Sequence, residues 1–134
     1  MTDRAARLAR YRAARERILP RTSLRAFEAL VAEALDELPA AIRAQLENVA
    51  VVVEERPKPG QDLLGLYEGI NRLQRGGGYH LVAPDRITLY WRPILQEVGP
   101  GGAEAIRREV RKTVVHEIAH HFGIDDAELE RMGA

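Results

Sequence analysis

The sequence predicts a single α+β domain in which a small mixed sheet packs on an amphipathic helix and on a second helix that carries metal-ligand spacing. Three observations predict it. Phe27, Leu30, Val31, Ala34, Leu35 and Leu38 recur at steps of three and four residues, the period of one helix face. Val49 to Glu55 is valine-rich, and Ile87, Leu89 and Trp91 alternate with Thr88 and Tyr90, the two patterns expected of strands. Ile106, Val110, Val114 and Ile118 repeat with a helical period through a stretch that holds His116 and His120. At 134 residues the chain fits one core.

In chain order, residues 3–18 favour helix through Ala, Arg and Leu, and Pro20 interrupts the pattern. Arg4, Arg7, Arg10, Arg12, Arg15 and Arg17 point all round a helical wheel, so residues 1–20 are read as an Arg-rich helix or tail in solvent. The domain is read as residues 21–134. Ser23 is the expected N-cap of the first core helix, which ends near Pro39. Ala40 to Leu46 follows as a short helix, and the strand Val49 to Glu55 is bounded by Pro57, Pro59 and Gly60.

Signals weaken between Arg56 and Arg86, where a brief apolar run at Leu63 to Tyr67 precedes a Gly76-Gly77-Gly78 hinge. Tyr67, Tyr79 and His80 are the polar aromatics of this region that can donate to a developing oxyanion. The strand Ile87 to Trp91 is expected to end at Pro93. Gly99-Pro100-Gly101-Gly102 breaks the chain before a helix from about Ala103 to Phe122. Asp125 and Glu128 have capping-box spacing and predict a last short helix through Leu129 to Met132.

Composition narrows the function classes. With 46% hydrophobic and 30% charged residues the chain reads as globular rather than disordered. It has no cysteine, so disulfides and thiolate ligands are excluded and any metal must be held by His or carboxylate. The apolar run Val49 to Val53 is far too short to cross a bilayer and no signal-peptide core follows Met1, so a cytoplasmic protein without membrane contact is expected. The net charge is zero, yet residues 1–25 hold eight Arg against Asp3 and Glu16, and this basic end is a candidate contact for a polyanion.

The chemistry concentrates in His116-Glu117-Ile118-Ala119-His120-His121-Phe122-Gly123-Ile124-Asp125-Asp126. Residues four apart on a helix lie about 40° apart around the axis and one turn along it, so His116 and His120 can address one ion. Glu117 is about 100° round from His116, beside the metal rather than on it, which is where a general base for a metal-activated water belongs. His121 is turned by about 100° from His120 and cannot share its ion within a continuous helix. Gly123 tolerates the left-handed conformation that ends helices, so the chain can turn there and return an acidic side chain toward the metal.

The pattern His116-Glu-x-x-His120-x-x-Gly123-x-x-Asp126 resembles the extended motif of metzincin-like peptidases, with aspartate where most place a third histidine. With Arg111 to Val115 leading in and the chain end soon after, it is similar to the compact bacterial zincin-like metallopeptidases, or minimal zincins. A looser likeness runs through Leu38-Pro39, Val49 to Glu55, Leu64 to Gly69 and Pro84 to Leu89, covering roughly residues 22–133. The resemblance implies a minimal zincin-like fold, Zn2+ held by His116, His120 and Asp126, and peptide-bond hydrolysis with Glu117 as base. It also implies a sheet edge near the metal that holds an extended peptide, with the Ile87 strand and Val49 to Val53 as candidates. Two alternatives stand beside the peptidase: a metal-dependent hydrolase of another substrate such as RNA, drawn to the Arg-rich end, and a non-enzymatic binding module that retains zinc.

Overall fold

The computed structural model describes residues 21–69 and 84–134, with side chains from residue 24 onward. The Arg-rich stretch 1–20, the Gly76-Gly77-Gly78 hinge, Tyr79 and His80 lie outside the described residues. Among the described residues the α-helices and strands follow in order: α1 (Arg21–Asp36), α2 (Ala40–Gln45), β1 (Val49–Glu54), β2 (Gly65–Glu68), β3 (Asp85–Tyr90), α3 (Trp91–Val98), α4 (Gly102–Phe122) and α5 (Asp126–Arg131).

In α1 the predicted stripe is buried: Phe27, Val31 and Ala34, with Leu38 just beyond the helix, are 5% exposed or less, and Leu30 and Leu35 are half-buried. Ser23 is not the N-cap, because the helix is already formed at Arg21 and a cap residue must itself be non-helical.

The three strands form a mixed sheet in the order β1-β3-β2. β1 runs parallel to β3, from Val49 opposite Asp85 to Glu54 opposite Tyr90. β2 runs antiparallel, from Gly65 opposite Leu89 to Glu68 opposite Arg86. Paired on both sides, β3 is the most buried strand, with Ile87 and Leu89 at 0% exposure. This corrects one expectation: the Ile87 strand has no unpaired edge to offer a peptide. Among the described residues the edges are β1 and β2, and the weak apolar run of the sequence supplies the second of them.

Pro93 does not end the β3 region in the expected way. The strand stops at Tyr90 and Trp91 already begins α3, with Pro93 as its third residue. The first four N–H groups of a helix have no partner within it, so proline costs no hydrogen bond there. Burial of Trp91 and Ile94 then fastens α3 to the core.

α4 carries the other half of the core. Val110, Val114 and Ile118 are fully buried and Thr113 nearly so, which fixes the rotation of the helix about its axis. Its outer flank is tied to α1 by charge: Arg107 reaches Glu33 at 3.1 Å and Glu37 at 3.5 Å, Arg111 pairs with Glu37, and Arg107 also binds Glu104 at 2.6 Å. Glu104 sits below the usual carboxylate range because it accepts a hydrogen bond from the Arg107 guanidinium and lies in its field.

Close approach of α4 to β2 depends on Gly65, where an added Cβ would come within 2.8 Å of the Thr113 methyl and 3.1 Å of the Thr88 carbonyl. Gly65→Ala is expected to cost about 1–3 kcal/mol as overpacking. Thr113→Ala in the same chain should recover part of that loss, read by denaturant unfolding of both variants and the double. A second outcome follows from Glu104. Its folded pKa is depressed, so its contribution is present above the unfolded carboxylate pKa of about 4.3 and is lost as pH falls through the lower folded value. The pH dependence of the thermal midpoint on the acid side should therefore flatten in Glu104→Gln.

Candidate metal centre

With Val110, Val114 and Ile118 turned inward, α4 leaves His116 and His120 exposed on adjoining turns. Their ring centroids are 6.2 Å apart and the planes differ by 28°. Two neutral imidazoles one turn apart are a donor pair suited to a divalent metal, and the helix that mounts them is buried along its opposite side. The donor chemistry and the spacing of this pair fit a zinc ion.

Glu117 is half-buried and lies against β2. Its Oε2 accepts a hydrogen bond of 3.1 Å from the backbone N–H of Tyr67. The Tyr67 ring stacks on His121 with centroids 3.8 Å apart and an 18° interplanar angle, and its hydroxyl donates to Asp85 Oδ2 at 2.8 Å. His121 thus faces Tyr67, off the His116 and His120 face, as its 100° offset requires. Gly69 continues the contact, since a Cβ there would lie 3.3 Å from His121 Cε1.

Gly123 ends α4 in the left-handed conformation, φ 66° and ψ 33°, as its place after the motif predicts. The N–H groups of Gly123 and Ile124 both turn back to the Ala119 carbonyl. Asp125 is then the N-cap of α5, its side chain accepting from the Glu128 N–H at 2.8 Å. Asp126 is the first residue of α5 and is exposed. It is not gathered with the two histidines, for among the described residues no three His, Cys, Asp or Glu side chains form a group able to hold a metal.

Beside His116 a groove of about 540 Å³ runs between α4 and the chain end, with Leu38, Pro39, Val115 and Leu129 as its apolar lining and Glu37, Arg111 and Lys112 as its charged lining. Residues 46–134 match the zincin-like metallopeptidase family, and that span is well over half of the chain. The chain belongs to the zincin-like metallopeptidase family. No curated protein matches it. Among solved structures it is similar to a conserved hypothetical protein from Thermo thermophilus, with 28% identity, 75% of this chain and 94% of that one covered, and a TM-score of 0.48.

Membership in the zincin-like family supports a metal-dependent, peptidase-like function at the level of the family. Among the described residues no helix is long and apolar enough to cross a membrane. The structure adds contacts that sequence reasoning missed. Tyr67 stood out only as a hydroxyl donor, yet its backbone N–H meets Glu117 and its hydroxyl meets Asp85. A signal was present in the two glycines flanking it at equal spacing, Gly65 and Gly69, which permit a helix to approach the strand.

The turn after α4 yields a direct test. Gly123→Ala meets no atom within 4 Å, so its expected cost is the backbone strain alone, about 1–2 kcal/mol. Asp125→Ala should cost about 0.5–2 kcal/mol as a lost cap. Thermal melts of the two single variants measure both.

Proposed function

We propose that the protein is a zinc-dependent peptidase in which His116, His120 and Asp126 hold the metal and Glu117 is the general base. What supports this reading is the pair of exposed imidazoles on adjoining turns with Glu117 fixed beside them at a sheet edge. Zinc, when bound, polarises a carbonyl oxygen and lowers the proton affinity of water. Asp126 would complete the donor set from the start of α5, and the left-handed turn at Gly123 is where α5 changes its angle to α4.

Glu117 would take the proton of the attacking water and return it to the leaving amine, which a carboxylate flanking the metal can do without being a ligand. The groove beside His116 would receive an apolar side chain next to the bond being cut, because most of its wall surface is apolar.

The test joins metal analysis to peptide cleavage. Purified protein should bind about one zinc per chain, and the His116→Ala, His120→Ala double variant none. Glu117→Gln should keep zinc and lose hydrolysis of a peptide library, since an amide cannot accept the proton. Asp126→Ala should weaken zinc affinity by about tenfold or more in a chelator titration while Asp125→Ala leaves it intact. Full zinc occupancy in the double histidine variant, or wild-type cleavage by Glu117→Gln, sinks the assignment.

A further inference from the structure

Three contacts between α4 and β2 with the residue after it advance in step: Gly65 on Thr113, Tyr67 on Glu117 and Gly69 on His121. Two strand residues span about 6.8 Å and four helix residues about 6.0 Å, so the two elements stay in register over this length. The middle contact differs from its neighbours because it joins a backbone donor to a carboxylate. The Tyr67 N–H points away from β3, from the outer edge of the sheet, and Glu117 gives it a charged acceptor.

We infer that Tyr67 is the positioning residue of Glu117, an inference that rests on the peptidase reading for its consequence in catalysis. A glutamate side chain on a helix surface samples many rotamers, and a base that wanders seldom meets its proton in a productive direction. The Tyr67 N–H holds Oε2 and so leaves Oε1 as the oxygen that takes a proton. The N–H is held in place by the pairing of β2 with β3 and, beyond it, by the tyrosine ring. Stacking on His121 ties the ring to α4 one turn beyond Glu117, and the hydroxyl bond to Asp85 ties it to β3. The strand is thereby pinned from the helix that bears the base and from the centre of the sheet. Gly69 leaves the imidazole room to lie flat against the tyrosine, since a Cβ there would press on His121 Cε1.

The experiment has one arm that needs neither metal nor activity. In metal-free protein, hydrogen exchange at the Tyr67 amide should accelerate at least tenfold in Glu117→Ala while the Ile87 and Leu89 amides keep their protection. In Tyr67→Phe, which loses the Asp85 bond, and in His121→Ala, which loses the stack, the Glu117 carboxyl carbon resonance should move toward that of a free glutamate. His121→Phe, which keeps a stacked ring, should restore it. The second arm uses zinc-loaded protein and a cleaved peptide: Tyr67→Phe should lower kcat about tenfold with KM and zinc affinity unchanged. Unaltered exchange at Tyr67 in Glu117→Ala, or an unmoved Glu117 resonance in both ring variants, overturns the positioning role, as does a rise in KM with kcat intact. If wild-type protein cleaves no peptide, the peptidase reading falls and the first arm alone decides whether Tyr67 positions Glu117. Should Tyr67→Phe fail to fold, His121→Ala and its phenylalanine counterpart carry the same comparison.

Discussion

The docking of β2 along α4 is the constraint on which the rest of the site depends. The helix side chains Thr113 and His121 lie so close to this strand segment that a Cβ at Gly65 or Gly69 would crowd them, and the glycines leave that room on either side of Tyr67. Once the two are in register, the Tyr67 N–H has nowhere better to go than the carboxylate of Glu117. An edge amide left unpaired in a buried setting would cost about 1–3 kcal/mol, so the contact that orients the acid also satisfies the Tyr67 amide.

The core makes that docking rigid. Val110, Val114 and Ile118 fix the rotation of α4, and this rotation decides that His116 and His120 face outward while Glu117 and His121 face β2. The charged seam between α1 and α4, with Arg107 and Arg111 among Glu33, Glu37 and Glu104, adds little energy because its carboxylates are largely exposed. Its contribution is orientation: it keeps the outer flank of α4 against α1 while the inner flank packs on the sheet.

Much of the domain was legible because it is encoded locally. The α1 stripe, the span of α4, the left-handed Gly123 and the Asp125 cap each depend on residues within a turn or two of one another, and each is found within a residue or so of its expected place. The misreadings fall where a local rule has two solutions. Proline near a strand can end it or open a helix, and Pro93 does the second. An alternating apolar run can be a central or an edge strand, and Ile87 to Tyr90 is central because partners on both sides claim its backbone.

By itself the sequence determined that His116 and His120 share a helix face with Glu117 beside them, because the 3.6-residue period converts spacing directly into direction. Only the tertiary structure decided what Glu117 touches. Tyr67 lies 50 residues away from it in the chain, and their contact follows from the strand order and from the glycines that let β2 close on α4. No periodicity within either segment specifies that meeting, since it is set by which edge of the sheet the helix covers.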